Sequence, residues 1–213
     1  MPAADDDREK TLRAGLSPRD AAVSPVAQFR LWFEQTRAAG VRQPRAMTLA
    51  TVNALGRPTA RMVVLAGFDE RGFDFATDSR SPKIADTQRQ PWVALVFHWP
   101  ELDQQVRIEG EMMLLDGATA DLYFHKRTRE SQIATWVGRQ SEVVPGRAVL
   151  EEQFLELLTG SERQPIRRPS TYLAYRVRPA MVEFWQARSD QLHDRVRYTL
   201  VEPGAWTIER LAP

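Results

Sequence analysis

Apolar positions along the chain change their spacing at residue 46, and that change divides the sequence into its first elements. Upstream, Ser24-Pro25 reads as a helix cap followed by proline in the first turn. Phe29, Leu31, Trp32 and Phe33 then give a helix its apolar face until Gly40 ends it. Downstream the period shortens toward two. Residues 47–52 predict a first strand, residues 53–58 a turn, and residues 60–68 a second strand. Asp69-Glu70-Arg71-Gly72 turns the chain into a third strand at residues 73–77, and a short helix is expected from Ser81-Pro82.

Residues 92–99 are almost continuously apolar, which predicts a strand buried on both faces, with His98 as a satisfied core residue. Residues 105–115 alternate through Val106, Ile108, Met112 and Leu114, as a half-buried strand does. Helical stretches follow at 118–126, 131–137 and 147–158, then a linker loop at 160–169. Strands return at 172–177, 182–186, 195–201 and 206–210. Many short antiparallel strands with a few intervening helices predict a mainly β, α+β fold: a closed or nearly closed barrel decorated by helices. A doubly wound parallel sheet is excluded, because strands and helices do not alternate and no Gly-x-Gly-x-x-Gly turn is present. Residues 1–23 are polar and read as a mobile arm, leaving residues 24–213 as one domain.

Composition narrows the function classes. With 29 basic and 28 acidic residues the net charge is +1, which gives no general attraction to nucleic acid or membrane. No apolar run approaches the roughly 18 residues of a membrane-spanning helix. The acidic, polar first ten residues hold no apolar signal core, so a cytoplasmic protein is expected. Cysteine is absent, which removes disulfides, thiolate nucleophiles and cysteine-ligated zinc. The three histidines, His98, His125 and His193, have no metal-ligand spacing, and no metal is expected.

Three groups of residues carry candidate chemistry. Arg61 heads an apolar strand, and Arg80-Ser81-Pro82-Lys83 places basic groups at a helix N-terminus, where free N–H groups favour anions. Two unrelated solvated charges is the plainer reading of that local sequence. Tyr123 and Arg127 are four apart on one helix face, with Ser131 a turn later; a phenol, a guanidinium and a hydroxyl suit a phosphate monoester. An amphipathic helix with a snorkelling arginine fits the same pattern. Near the C-terminus, strand pairing is expected to bring Trp185, His193 and Arg195 together: a flat indole wall beside a rigid fork, suited to a planar anionic ligand.

That last stretch, Val182-Glu183-Phe184-Trp185-Gln186, four residues, then Gln191-Leu192-His193-Asp194-Arg195, resembles the C-terminal signature of the pyridoxamine 5'-phosphate oxidase family. The family pattern is aliphatic-Glu-aromatic-Trp-Gln, four residues, Arg-aliphatic-His-acidic-Arg, and the resemblance extends over nearly the whole chain from Arg8. It implies an FMN-binding split β-barrel that works as a homodimer, with FMN between subunits and residues 92–99 suited to the interface. Arg61, Met62, Val63, Val64, Ala76, Thr77, Lys83, Gln105, Gln140, Ser141, Trp185 and Arg195 occupy the positions that bind FMN. Arg8, Ala66, Tyr123, Arg127, Ser131, Gln191 and His193 occupy those around the substrate, His193 as the catalytic-site histidine that orients it.

The resemblance further implies hydride transfer from a substrate C–H to the flavin, followed by reoxidation by dioxygen with release of hydrogen peroxide. Pyridoxine or pyridoxamine 5'-phosphate is the leading substrate, and pyridoxal 5'-phosphate the product. A phenazine-biosynthesis type of flavin oxidase, acting on a reduced aromatic, is the alternative; a non-catalytic binder of FMN or pyridoxal phosphate is a second. The departures from the family pattern gather around the substrate. Ala66 and Gln191 stand at basic positions, Lys10 at a tyrosine, Pro82 at an arginine (with Arg80 upstream), and Tyr172-Leu173-Ala174 at Trp-Gly-Gly.

Overall fold

The computed structural model describes residues 15–161 and 164–213. Helix α1 (Pro25–Ala38) starts where Ser24 caps it, its Oγ accepting from the Ala27 N–H at 3.1 Å. The strands are β1 (Ala46–Val52), β2 (Pro58–Asp69), β3 (Gly72–Asp78), β4 (Trp92–Trp99), β5 (Gln104–Leu114), β6 (Tyr172–Gln186), β7 (Asp194–Glu202) and β8 (Ala205–Arg210). Helix α2 (Pro82–Arg89) lies between β3 and β4; α3 (Gly117–His125), α4 (Arg129–Ala134) and α5 (Arg147–Gly160) lie between β5 and β6.

All strand pairs are antiparallel, in the order β3-β2-β1-β4-β5-β6-β7-β8, and an additional β3–β6 pairing closes the first six strands into a barrel. β6 is what makes closure and extension compatible. Its first half pairs with β3, Asp78↔Tyr172 to Phe73↔Val177, and its second half pairs with β7, Met181↔Thr199 to Gln186↔Asp194. The two strands expected at 172–177 and 182–186 are therefore one strand that changes partner. Pro179, which has no N–H to give to a ladder, sits at the change, opposite a register shift at Glu109/Gly110. A Cβ on Gly110 would lie 2.1 Å from the Arg178 carbonyl, so only glycine fits there.

The barrel is filled by aromatic rings. Phe29 of α1 packs its ring 4.9 Å from both Phe73 and Phe97, and Trp32 meets Phe184 edge-on at 5.2 Å. β4 corrects the expectation of a strand buried on both faces: Val93, Leu95, Phe97 and Trp99 point inward, while Trp92 is 51% exposed and His98 is exposed rather than in the core. Its apolar run conceals an ordinary alternation, because the outward face is apolar too. α4 begins two residues before the expected 131, where Thr128 caps it, and ends in turns rather than continuing to 137.

Of the expected mobile arm, residues 1–14 lie outside the described residues, and residues 15–22 are held against β7 and β8. The Leu16 N–H donates to Asp194 Oδ2 at 3.0 Å, Arg210 donates to the Leu16 carbonyl at 2.8 Å, and the Tyr198 hydroxyl donates to the Ala22 carbonyl at 2.9 Å. One buried leucine and backbone bonds to distant strands do this, neither of which a polar composition reveals. No helix among the described residues is long and apolar enough to cross a membrane.

Candidate functional site

A cleft of about 820 Å³ opens on the outside of the barrel. Its floor is the outward face of β2 (Met62, Val64, Ala66) and of β3 (Ala76, Asp78) with the start of β6. Its wall is α3, α4 and the turn from Gly138 to Glu142. Twelve of the positions singled out from sequence line this one space: Met62, Val63, Val64, Ala66, Ala76, Thr77, Lys83, Tyr123, Arg127, Ser131, Gln140 and Ser141.

The electrostatic centre of the cleft is Lys83. It is 7% exposed, and its ammonium donates to Ser81 Oγ at 2.8 Å, Thr77 Oγ1 at 2.9 Å and Gln140 Oε1 at 3.3 Å. Thr77 in turn donates to Gln140 Oε1 at 2.9 Å, so strand, helix start and turn share one network. No carboxylate among the described residues pairs with Lys83; Asp78, the nearest acid acting on it, is held by Arg80 at 2.5 Å. Burial, then repulsion from Arg61, pulls its pKa down from 10.5 to about 8, against a smaller opposing pull from Asp78. A buried cation whose partners are neutral oxygens lowers its energy by taking up an anion.

Arg61 does not line the cleft. Its guanidinium donates to the Leu49 carbonyl and to the hydroxyls of Thr51 and Thr59, 3.9 Å from Asp86 of α2, and burial lowers its pKa. It acts on the site as a fixed positive charge beside Lys83.

Farther along β3 is a buried charged cluster. Asp74, three residues and roughly 10 Å of strand from Thr77, is 1% exposed and clamped by Arg176 at 2.6 and 2.8 Å. Arg176 also reaches Asp69 at 3.1 Å. The third hydrogen bond to Asp74 comes from Tyr123, whose hydroxyl donates to Oδ2 at 2.6 Å; burial and that bond raise the phenol's pKa strongly. A Cβ on Gly67 would meet the Tyr123 hydroxyl at 2.6 Å, so the absence of a side chain there lets the ring reach the strand. Arg127 lies 5.4 Å over the Tyr172 ring, and the Ser131 hydroxyl accepts from Thr128 at 3.0 Å, leaving its own proton for a ligand.

Gln105, Trp185 and Arg195 form a second group, adjacent in register across β5, β6 and β7. The His193 ring lies 4.9 Å from Trp185, and its Nδ1 accepts from the Arg188 N–H at 3.1 Å, which keeps the neutral ring's proton on Nε2. Arg195 donates to Glu183 at 2.8 Å and to the Ala212 carbonyl at 2.9 Å. Gln191 is exposed in the turn before β7, at φ 65. This row and the cleft are far apart within one chain. Tyr172 lines the cleft and Trp185 is thirteen residues further along β6, up to roughly 40 Å of strand. The residues expected to meet at one ligand are thus divided into two groups, and Arg8 lies outside the described residues.

Sequence reasoning missed Arg45, Asp74 and Arg176. Arg45 lines the cleft; Asp74 and Arg176 set the state of Tyr123. An acidic residue in the middle of an otherwise aromatic strand, Phe73-Asp74-Phe75, was the available signal for the second.

Comparison with known proteins bears on both groups. Residues 33–159 match the family described as pyridoxamine 5'-phosphate oxidase, and residues 172–213 match the pyridoxine 5'-phosphate oxidase C-terminal dimerisation region. A pyridoxine/pyridoxamine 5'-phosphate oxidase of Trichormus variabilis is 45% identical over 210 residues, 99% of this chain and 98% of that protein. One from Salinibacter ruber is 46% identical over 211 residues, 98% of each. Among solved structures, PhzG from Burkholderia lata, in complex with tetrahydrophenazine-1-carboxylic acid, superposes with a TM-score of 0.86 at 30% identity, covering 92% of this chain and 96% of that one. A pyridoxamine 5'-phosphate oxidase-related, FMN binding protein from Nostoc punctiforme shares the fold, with a TM-score of 0.73 at 22% identity over 90% of this chain and 100% of that one.

Proposed function

The chain belongs to the pyridoxamine 5'-phosphate oxidase family, and from that premise we propose that it is an FMN-dependent oxidase converting pyridoxine or pyridoxamine 5'-phosphate to pyridoxal 5'-phosphate. Dioxygen is the acceptor and hydrogen peroxide is released. The observation that carries the cofactor assignment is Lys83, a buried ammonium with no carboxylate partner among the described residues, set among hydroxyl and amide oxygens at the start of α2. That donor set fits the phosphate and ribityl hydroxyls of FMN. When bound, the flavin supplies the redox chemistry, and the chain's residues supply position and charge.

The active unit in this reading is a homodimer, because neither group of residues suffices alone. The cleft of one subunit provides Lys83, Thr77, Gln140 and Ser141 for the phosphate end, and the β2 residues Met62, Val63 and Val64 as apolar floor. Gln105, Trp185 and Arg195 of a second copy supply an amide, an indole wall and a guanidinium fork for the ring. The matched C-terminal dimerisation region contains Trp185, His193 and Arg195, which supports this division. His193, held as the Nε2–H tautomer by the Arg188 N–H, presents a hydrogen-bond donor to the substrate beside the flavin. Arg127 and Ser131 of α3–α4 then meet the substrate's phosphate.

A second reading is an oxidase acting on a reduced tricyclic aromatic. Ala66 and Gln191 remove positive charge from the substrate region, and the likeness to PhzG gives that reading support at 30% identity. The curated relatives at 45–46% identity favour the vitamin reaction. Titration of the purified protein with FMN, followed by anaerobic mixing with pyridoxamine 5'-phosphate, separates the two. Quenched flavin fluorescence and then bleaching on mixing is the expected result. Bleaching only with a reduced phenazine supports the second reading, and a protein that takes up no FMN refutes both.

A further inference from the structure

We infer that Arg45, at the entry to β1, is the residue that meets the anionic group of the substrate, doing from the neighbouring strand what Ala66 does not do from β2. This rests on the reading of the substrate as a phosphate monoester. Four observations on the cleft lead to it.

The first is what Tyr123 offers. A phenol has one proton, and Tyr123 gives it to the buried Asp74 carboxylate at 2.6 Å. The Arg176 fork donates two further bonds to the same carboxylate at 2.6 and 2.8 Å, so Asp74 is the acceptor of the set and Tyr123 the donor. Toward the cleft Tyr123 therefore presents only lone pairs, and a phosphate dianion, which has no proton, gains nothing from them. The second is Ala66, which lines the cleft one residue before Gly67, the position the Tyr123 hydroxyl overhangs, and contributes no charge.

The third is the position of Arg45. Its Nη1 donates to the carbonyls of Leu65 and Ala66 at 3.0 and 3.2 Å, which fixes the guanidinium over the backbone of the uncharged residue. A guanidinium has five N–H donors, and these two bonds leave the Nε–H and both Nη2 protons with no acceptor among the described residues. The fourth is the charge balance. Arg45 lines the same cleft as Arg127, and neither has a carboxylate within ion-pair distance among the described residues, whereas the carboxylates along the cleft are engaged: Asp78 by Arg80 and Glu142 by Arg139. Two guanidinia on one cleft without carboxylate partners among the described residues, one of them already oriented by carbonyl oxygens, make a receptor for a phosphate. A phenol that cannot donate, beside it, makes the subsite depend on them.

The test is equilibrium binding of pyridoxal 5'-phosphate and of pyridoxal to the FMN-loaded protein, for the natural chain, Arg45→Ala, Arg45→Gln and Arg45→Ala/Ala66→Lys. Arg45→Gln retains a donor for the two carbonyls, and the unfolding temperature reports whether each variant is intact. Both single substitutions are expected to weaken the phosphorylated ligand roughly 10- to 100-fold and to leave pyridoxal unchanged. Lysine at 66 is expected to restore most of the loss, since it brings a cation to the same anion from β2. If the natural protein shows no preference for the phosphorylated ligand, the substrate reading itself fails. If it does, but folded Arg45 variants keep that preference, the assignment of Arg45 is overturned and the substrate reading stands. A preference lost in Arg45→Ala and not recovered with Ala66→Lys means that Arg45 acts by holding β2, which also overturns it.

Discussion

The cleft and the β5–β6–β7 row are built from similar residues, and they differ in how their charges are settled. In the row every guanidinium has its carboxylate. Arg195 and Arg107 share Glu183 at 2.8 and 3.0 Å, Arg210 meets Asp194 at 2.6 Å, and Arg197 meets Glu209 at 2.8 Å. In the cleft, Arg45, Lys83 and Arg127 have no carboxylate partner among the described residues, and their contacts are carbonyls, hydroxyls, an amide and an aromatic face. The row is electrically complete and offers shape, a flat indole and fixed hydrogen-bonding edges. The cleft is incomplete and draws in negative charge. Arginine counts in the sequence are blind to this distinction, because it depends on which carboxylates the fold brings within reach.

The most damaging way to break the comparison is to separate the two copies that the proposed dimer would join. Trp92 is 51% exposed at the start of β4, on an outward apolar face that includes Ala94 and Val96 and continues across β1 to β2. Trp92→Glu removes an indole from that face and adds a carboxylate with no partner. A loss on the order of 4 kcal/mol, about a thousandfold in dimer affinity, is expected. Analytical ultracentrifugation across a concentration series checks it, and FMN retention should fall in step with dissociation. A monomer that holds FMN as tightly as the natural protein would show that one chain completes the site.

A smaller loss follows from disarming the cleft and leaving the row intact. Lys83→Met keeps the length of the side chain and removes the charge, and it is expected to weaken FMN roughly 10- to 100-fold, the effect of one charge-assisted contact. Fluorescence titration measures it, with the dimer constant unchanged. Equal loss from Lys83→Met and from an exposed substitution such as Arg147→Met would mean that the cleft's unpaired charge has no special standing.

Much of this was legible in the sequence because strand period and turn chemistry act locally. The barrel strands, the cap at Ser24 and the start of α2 at Pro82 follow from residues within a few positions of each other. β6 was cut in two around Pro179, whose effect is real but is absorbed by one extra residue of β6, Ala180, opposite Glu109 and Gly110, instead of ending the element. β4 was misread because its outward face carries the same kind of apolar residues as its core face, and period alone does not tell the two apart. At the site, positions belonging to a signature were readable and their electrostatic state was not. Tyr123 lines the cleft, yet its proton goes to Asp74, 49 residues away, and Asp74 is held by Arg176, 102 residues beyond it. Such assignments depend on register across the closed barrel, which no local pattern encodes.

The gentlest probe of the comparison is pH, because it acts on the buried ammonium at the centre of the cleft. Lys83 has a folded-state pKa of about 8, below its usual 10.5, through burial and the neighbouring Arg61. Between those two values the unfolded chain binds the proton more tightly than the folded one, so the Lys83 contribution makes the ligand-free protein more stable as pH rises through that window, and this gain is absent below it. Binding works in the opposite direction. A phosphate dianion beside the ammonium favours the charged form, so above pH 8 binding must take up a proton, and affinity for FMN should fall toward about tenfold per pH unit. The flavin phosphate, with its second pKa near 6, is already fully charged there and contributes no slope of its own. Titrations from pH 7 to 9.5, with calorimetry in buffers of different ionisation enthalpy, read both the slope and the proton uptake. The Lys83→Met variant should lose both and bind weakly but evenly across the range. A natural protein whose affinity is flat from 7 to 9.5 would mean that the anion rests elsewhere than on Lys83.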